Sequence, residues 1–395
     1  MVNDKLINWL DFFTLPPTLT EYIIGGIIVA AFLYQLYYYC RYMAGINRRL
    51  RRLRKGKIVL PIEQPPVSVI ICARNEEDNL RQFLPAILSQ NYPEYEVIVV
   101  DDSSEDMTRA VLQQMSLNNK HLRYTFVPKG CYQFSTKKLA ITLGVKAAKY
   151  EHLLLTDADC RPDGPNWISG MMKGFTKDVE IVLGFGAYEK EPTHLNRLIT
   201  YDTLWNSMQF LGQAASRHPY MGVGRNMAYT KSLFIKNKGF AKYLHVLAGD
   251  DDLFINQVAT RKNTNIAIEP SALTWSVPKT SFGDWWDQKR RHIGVSPRYR
   301  FTTKFRLTLE PFSRLLFYGG IIAAGFLCRP YIWSCALVLL LIRFIWQICI
   351  INTTARKLNI TRFHINILWF DIILPLVNLL MLIITTFSKK KRNIW

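Results

Sequence analysis

The chain has 395 residues, 49% of them hydrophobic, and its formal net charge at pH 7 is +20. This length is enough for one large core together with membrane segments. The seven cysteines show no C-x-x-C spacing, which argues against a disulfide framework and against a zinc site. We therefore expect the soluble part of the chain to face a reducing cytosol.

The excess positive charge lies beside apolar segments. Seven Arg and Lys residues fall within residues 48–57, directly after an apolar stretch, and residues 389–392 add a second cationic run. Cations next to membrane spans are typical of the cytoplasmic side, and they also attract anionic lipid headgroups. No nucleic-acid-binding module accompanies them. We therefore expect a membrane as a partner and no nucleic acid.

Residues 22–39 form the first apolar stretch, and its length is about that needed to cross a bilayer. No cationic segment precedes it and no small-residue cleavage site follows, so we interpret residues 1–45 as an uncleaved anchor. The basic linker at residues 46–64 places the following domain in the cytoplasm. The expected location is the cell inner membrane.

Short apolar runs and amphipathic segments alternate from residue 65 to residue 150, which predicts a mostly parallel α/β sheet with covering helices. Ligands of such sheets bind beyond the carboxyl ends of the strands. The predicted strands are residues 67–73, 96–100 and 121–127, and the predicted helices are residues 76–90, 104–114 and 137–149.

An apolar run at residues 151–156 reads as a further buried strand and ends in Asp157 and Asp159. Side chains two positions apart in extended backbone point to the same side. Two carboxylates there suit Mg²⁺ or Mn²⁺ with a bound diphosphate. The ends of two earlier strands also carry polar residues, at positions 74–76 and 101–102.

The region after residue 160 is less regular. Phe282, Trp285 and Trp286 are mixed with charged residues, so residues 281–300 are predicted to lie in the membrane interface. Residues 301–395 contain three apolar stretches, at 312–328, 331–351 and 365–387. Three full spans would put the basic tail outside the cell. Either one stretch, most simply 312–328, is re-entrant or interfacial, or the charge rule fails here.

The order of five motifs resembles that of a membrane-anchored family 2 glycosyltransferase. These motifs are C-A-R-N-E-E, V-V-D-D-S-S, T-D-A-D, G-D-D-D-L and Q-K-R-R-H. The resemblance covers residues 65–300 and implies the GT-A fold, which is Rossmann-like with a mostly parallel sheet. It also implies a nucleotide-diphosphate sugar as donor, most commonly a UDP-sugar, together with a divalent metal, Mg²⁺ or Mn²⁺.

The resemblance assigns roles to individual residues on the donor side. Asp159, with Asp157, is expected to ligate the metal. The residues expected to bind the nucleotide sugar are Ala73, Arg74, Glu76, Asp102, Lys137 and Asp157.

The acidic triplet at residues 250–252 resembles the motif that carries the catalytic base. Inverting transfer needs a carboxylate to take the proton of the acceptor hydroxyl, and adjacent carboxylates raise one another's pKa. The second acidic residue is the base in the family, which indicates Asp251, and Asp250 stays open as the alternative.

Two further motifs are assigned by the same resemblance. Residues 288–292 resemble the Q-x-x-R-W motif, so Gln288 and Arg291 are expected to assist catalysis near the diphosphate. His292 replaces the Trp of that motif, which argues against a cellulose-synthase-like polymerase. The residues expected on the acceptor side are Gly224, Arg225, Asn226 and His292.

These observations predict an inverting membrane glycosyltransferase that adds one sugar to a lipid-linked or other membrane-proximal glycan acceptor. The alternative is a processive polysaccharide synthase. A third hypothesis is a non-catalytic scaffold that binds anionic lipid, and the carboxylates retained at the motif positions argue against it.

Overall fold

The structure is a computed structural model that describes residues 16–128, 135–246 and 248–387. The basic tail at residues 389–392, and with it the expected side of that tail, lies outside the described residues. The chain divides into two compact units. One consists of residues up to Cys40 with Thr302–Ile350, and the other consists of Arg41–Phe301 with the residues from Ile351 onward.

The described helices and strands follow in chain order. The helices are α1 (Leu19–Tyr38), α2 (Gly45–Arg54), α3 (Glu77–Leu88), α4 (Thr108–Asn118), α5 (Thr136–Ala147), α6 (Trp167–Met172), α7 (His194–Ala215), α8 (Lys231–Lys236), α9 (Asp252–Val258), α10 (Phe282–Ile293), α11 (Phe301–Leu327), α12 (Pro330–Lys357) and α13 (Asn366–Phe387). The strands are β1 (Val67–Ala73), β2 (Tyr95–Asp101), β3 (Leu122–Phe126), β4 (His152–Asp157), β5 (Cys160–Pro162), β6 (Ile181–Gly184), β7 (Gly186–Tyr188), β8 (Met227–Thr230), β9 (Thr264–Ala267) and β10 (Thr274–Ser276).

The α/β domain is built on a seven-stranded sheet in the order β3-β2-β1-β4-β8-β6-β9. Strands β1 to β4 pair in parallel, whereas β8 runs antiparallel to both β4 and β6. The sequence-based prediction of a mostly parallel α/β sheet is confirmed. A second sheet of three short strands has the order β5-β10-β7.

Helices cover both faces of the central sheet because its inner strands are apolar on both sides. On one face Val69 and Ile71 of β1 belong to the same buried core as Leu80 of α3. On the other face Ile70 points at α5, where a Cβ on Gly144 would lie 2.6 Å from its side chain. Strands buried on both faces read as continuous hydrophobic runs, which is why they were predictable.

Helix α7 was not predicted from the sequence. It has 22 residues and is buried around most of its circumference, so it lacks the apolar stripe by which a surface helix is recognised. Its start is fixed by the Thr193 side chain, which accepts a hydrogen bond from the Asn196 N–H at 3.0 Å.

The predicted basic linker, residues 46–64, is helical over its first part. Ile46 and Leu50 of α2 are buried, and a Cβ on Gly45 would lie 2.6 Å from the Cα of Gly212 in α7. Two glycines thus allow α2 and α7 to approach closely.

The unit that contains α1 is held by apolar and polar contacts among its helices. Ile28 of α1 packs in one cluster with Phe317 and Ala324 of α11. The side chain of Gln35 is buried and accepts a hydrogen bond from Arg343 of α12 at 3.0 Å.

Three helices among the described residues are long and apolar enough to cross a membrane: Leu19–Met43, Pro330–Lys357 and Asn366–Thr385. They indicate a membrane protein. Helix α11, which contains residues 312–327 of the apolar stretch 312–328, is not one of them. The expectation that 312–328 is re-entrant or interfacial stays a prediction.

Candidate active site

The loops after β1 and β2 are tied together at the carboxyl edge of the sheet. Asn75 and Ser103 have left-handed backbones, with φ of 53° and 57°. The Asn75 N–H donates to Ser104 Oγ at 2.9 Å, and the Asp102 N–H donates to the carbonyl of Ala73 at 2.8 Å. These bonds fix two of the predicted nucleotide-binding residues, Ala73 and Asp102, and both are fully buried.

Glu76 and Arg74 follow β1 on the rim of this edge, and both are partly buried. Burial raises the pKa of Glu76, although Asn79 donates a hydrogen bond to its carboxylate at 2.5 Å. The charges of Asp157 and Asp159 raise it further, so the three carboxylates lie within electrostatic range of one another.

Asp157 is the last residue of β4, and Asp159 follows it in a tight turn. One ligand atom of each, together with the thiol of Cys160, can be chosen so that all three lie within 4.8 Å of one another. Burial raises the pKa of Asp159, and the charge of Asp157 adds to this effect. We refer to Asp157 and Asp159 as the carboxylate pair.

Lys137, on the first turn of α5, connects the carboxylate pair to the acidic triplet. Its ammonium group lies 3.0 Å from Asp157 Oδ1 and 3.6 Å from Asp250 Oδ2. Burial alone would lower the pKa of Lys137, but the two carboxylates outweigh it and hold that pKa well above its usual range. Lys137 is therefore a permanent cation between two acidic groups.

Cys72 of β1 lies in the middle of these groups and was not predicted. Burial raises the pKa of its thiol, and the charges of Asp157, Asp250 and Asp102 raise it further, whereas Lys137 lowers it. Asp157 is also the register partner of Cys72 across the β1–β4 pair. Cys72 is thus a neutral residue around which the predicted donor-side groups converge.

The acidic triplet begins at a strained turn. Gly249 has φ of +88°, a backbone conformation that favours glycine. Asp251 then caps α9, because its Oδ1 accepts the Asp252 N–H at 2.8 Å. Its Oδ2 accepts the Gly224 N–H at 2.9 Å. The loop of residues 222–226 therefore meets the acidic triplet.

The three carboxylates of the triplet differ in their environments. Burial raises the pKa of Asp251, and the charge of Asp250 raises it further. Burial also acts on Asp250, but Lys137 and Lys138 outweigh it and hold the pKa of Asp250 below its usual range. Burial and the charge of Asp251 raise the pKa of Asp252 to about 8.

The neighbouring residues Arg225 and Asn226 have side chains in different environments. The Arg225 guanidinium lies 4.3 Å from the centre of the Tyr188 ring, and its charge lowers the pKa of Asp159. Asn226 is fully buried and bonds to the Trp167 indole and to the carbonyls of Phe185 and Ala272. The Asn226 side chain thus holds the interior of the domain together, and its expected place on the acceptor side stays a prediction.

Helix α10 carries the predicted Q-x-x-R-W-like residues. Gln288 Oε1 accepts a hydrogen bond of 3.5 Å from the Tyr188 hydroxyl, while Arg291 and His292 are exposed. His292 is close enough to Asp251 for its charge to lower the pKa of that carboxyl. These residues therefore border the same site.

The aromatic residues at the start of α10 have two different environments. Phe282 is 55% exposed, whereas Trp285 is only 4% exposed. The end of this segment meets a candidate membrane helix, since a Cβ on Gly294 would lie 3.7 Å from Thr385 of α13. The interfacial location of this segment stays a prediction, which the exposure of Phe282 suits, whereas Trp285 is a core residue.

Four supporting contacts, made by Lys138, Tyr299 and Lys289, were missed by sequence reasoning. Lys138 is fully buried and donates to the carbonyl of Ala248 at 2.7 Å and also to that of Val246, just before the triplet. The Tyr299 hydroxyl donates to Asp252 at 2.6 Å, and Lys289 pairs with Asp202 at 2.6 Å. Lys137 and Lys138 are adjacent in sequence, so sequence alone does not distinguish their roles. Only the direction of each side chain in the structure does so.

The arrangement fits a metal-bound diphosphate. The carboxylate pair offers hard oxygen ligands, which suit Mg²⁺ or Mn²⁺. Within the described part of the chain, the Arg225 Nη1 is buried and has no hydrogen-bond acceptor. A phosphate oxygen of a bound diphosphate would satisfy this buried donor through a charge-assisted hydrogen bond.

Comparison with known proteins decides the class of the domain. The family model described as Glycosyl transferase family 2 matches residues 68–236. Residues 68–236 therefore form a family 2 glycosyltransferase domain. The probable glycosyltransferase YdaM of Bacillus subtilis is 27% identical to the chain over 238 residues, which are 58% of this chain and 54% of YdaM.

Other relatives of the glycosyltransferase domain agree with this class. The poly-beta-1,6-N-acetyl-D-glucosamine synthase of Staphylococcus epidermidis is 24% identical over 238 residues, 57% of this chain and 53% of that protein. The chain thus spans about half the length of these curated relatives. The mannosyltransferase PcManGT from Pyrobaculum calidifontis, solved with GDP-Man and Mn²⁺, superposes with a TM-score of 0.57 at 17% identity. The alignment covers 93% of this chain and all of that one, and it supports the GT-A fold.

Proposed function

We propose that this protein transfers a single sugar, with inversion, from a nucleotide-diphosphate sugar to a lipid-linked or membrane-proximal acceptor. One observation carries the proposal. Lys137 joins the carboxylate pair to the acidic triplet, and Asp251 of that triplet is bound to the loop of residues 222–226. Groups suited to a donor diphosphate and a group suited to an acceptor hydroxyl are therefore held next to each other.

The donor end consists of the loops after β1, β2 and β4. Asp159, with Asp157, would hold Mg²⁺ or Mn²⁺, which when bound would neutralise charge on the diphosphate. Lys137 and Arg225 supply two further positive charges at this end. Asp102 lies beneath the same loops, where the resemblance to the family predicts the nucleotide base. A UDP-sugar is the proposed donor.

The acceptor end contains the base. Asp251 has a raised pKa and accepts only backbone N–H groups in its described contacts, so its carboxylate can take a proton from an acceptor hydroxyl. The alternative, Asp250, is paired with Lys137 and has a lowered pKa, which makes it the weaker base. We therefore assign the base to Asp251.

The position of α10 supports an acceptor at the membrane. Arg291 and His292 are exposed on this helix, and Gly294 immediately after it lies against Thr385 of candidate span α13. An acceptor whose lipid tail stays in the bilayer would reach the site from this side. Arg291 would then stabilise charge on the leaving diphosphate.

The test uses the full chain, purified in detergent or reconstituted in nanodiscs. Nucleotide sugars are screened for transfer or slow hydrolysis with Mg²⁺, with Mn²⁺ and with a chelator. We expect metal-dependent turnover of one donor and its loss in Asp159→Asn. Asp178→Asn, a change at an exposed carboxylate outside the site, is the matched control. Absence of turnover with every donor, or turnover unaffected by Asp159→Asn, would contradict the proposal.

A processive polysaccharide synthase is the second candidate, since relatives of this chain include poly-beta-1,6-N-acetyl-D-glucosamine synthases. Two observations weigh against it. His292 stands where processive relatives have Trp, and the three candidate spans among the described residues are few helices to line a channel. Product length decides between the two: one added sugar supports single transfer, and a ladder of products supports the synthase.

A further inference from the structure

Four cations meet where α2 approaches the end of α12. The Asn47 side chain donates to Thr354 Oγ1 at 2.7 Å, and Lys357 Nζ donates to Asn47 Oδ1 at 2.8 Å. The first turn of α2 is thereby fixed against the last turn of α12. We call Arg51, Arg54, Arg356 and Lys357 the exit cluster.

Helical geometry brings the two arginines of α2 to this place. Arg51 and Arg54 follow Asn47 at i+4 and i+7, so they lie on the face of α2 that carries Asn47. The charges of Arg54, Arg51 and Arg356 all lie within electrostatic range of the Lys357 ammonium group. Each of the three arginines is thus close enough to repel Lys357.

Acidic residues do not offset this repulsion. The sequence of α2 contains none, and no ion pair found among the described residues involves a member of the exit cluster. Arg51, Arg54 and Arg356 are exposed. Exposed like charges held together by helix packing destabilise the fold unless an anion binds between them.

The cluster lies at the ends of two candidate membrane spans. Helix α12 is one of them, and Arg356 and Lys357 are its last two residues. The first candidate span, Leu19–Met43, ends directly before α2 begins at Gly45. The exit cluster is therefore expected at the level of the lipid headgroups.

We propose that the exit cluster binds the phosphate of anionic phospholipid headgroups. Arginine guanidinium groups bind phosphate oxygens in pairs, and a headgroup phosphate lies at the depth where membrane spans end. A soluble anion or a nucleic acid would have the same charge. The continuity of the cluster with two apolar helices favours the lipid. This site is separate from the proposed catalytic residues.

The test measures lipid binding by the full chain in detergent after mild delipidation. Native mass spectrometry follows the bound fraction during titration with phosphatidylglycerol and, separately, with phosphatidylcholine. The variant combines R51Q, R54Q and R356Q, which changes only exposed side chains. The control combines K120Q, K236Q and K262Q, which removes the same charge from exposed positions elsewhere. Thermal unfolding checks that both variants are folded.

Wild type and control are expected to prefer phosphatidylglycerol over phosphatidylcholine. The exit-cluster variant is expected to bind phosphatidylglycerol on the order of a hundredfold more weakly, at about 1 kcal/mol for each cation removed. Equal loss in the control, or unchanged binding in the variant, would overturn the proposal. Displacement of the lipid by inorganic phosphate would assign the site to a soluble anion and overturn it as well. If the triple variant does not fold, the single variant R51Q is measured in its place.

Discussion

The two halves of the α/β domain hold their reactive groups in different ways. In the N-terminal half, residues 67–162, the carboxylate pair follows a central parallel strand, and strand register sets its position. In the C-terminal half, residues 163–299, Asp251 is positioned by hydrogen bonds between segments that are distant in sequence. The Gly224 N–H donates to Asp251 itself, and Lys138 donates to the loop that precedes Asp251. Substitutions in the first half should therefore change the local charge around the carboxylate pair. Substitutions in the second half should also change the position of Asp251.

The largest effect is expected for Asp251→Asn. An amide cannot take the acceptor proton, so kcat should fall about 10²- to 10⁴-fold. Donor affinity should stay within about twofold, because the carboxylate pair and Lys137 are unchanged. Steady-state kinetics and calorimetric titration with the donor nucleotide measure the two quantities. Asp250→Asn serves as the comparison. If it abolishes turnover while Asp251→Asn leaves most of it, the base is Asp250.

Lys137→Met tests the connection between the two halves. Loss of the ammonium group removes a charge-assisted bond to Asp157 and the neighbouring cation of Asp250. Such bonds contribute about 1.5–3 kcal/mol, so donor affinity should fall about tenfold to a hundredfold. The pKa of Asp250 should rise, which a pH–rate profile would show as a new acidic limb. Lys146→Met on the same helix is the control, and an equal loss there would contradict a specific role.

Sequence reasoning succeeded where register alone fixes a residue. Asp157, Asp159 and Asp102 end or follow buried strands, and the structure brings them together at one edge of the sheet. It failed where packing decides. Asn226 stands in the same short loop as Gly224, but its side chain turns into the interior. Helix α7 was missed because burial on many sides removes the periodic pattern.

Gly249→Ala should disturb the backbone of the C-terminal half without changing any charged side chain. The backbone φ of +88° is unfavourable for alanine, and the new Cβ would lie 2.8 Å from Leu253 and 2.9 Å from Val295. We expect a loss of about 1–2 kcal/mol in the free energy of unfolding and a fall in kcat with donor affinity retained. Gly164→Ala is the matched control, since its Cβ would meet nothing within 4 Å. Equal losses in both variants would show that strain at Gly249 is not the cause.

The smallest effect concerns the dependence of stability on pH. Burial raises the pKa of Asp252 to about 8, so the native state holds a proton there that the unfolded state releases above about pH 4. Unfolding therefore releases that proton between these values, and the contribution of Asp252 to stability falls as pH rises through this window.

Asp252→Asn keeps a neutral group beside Tyr299 and removes this titration. Thermal unfolding temperatures of wild type and variant, measured at pH 5, 6.5 and 8, should converge at the acidic end. At pH 8 the variant should be relatively more stable, by a few degrees. A constant difference across the three pH values would mean that Asp252 is ionised in the folded protein. In that case Tyr299→Phe, which removes only the donor to that carboxylate, should become the more damaging of the two changes.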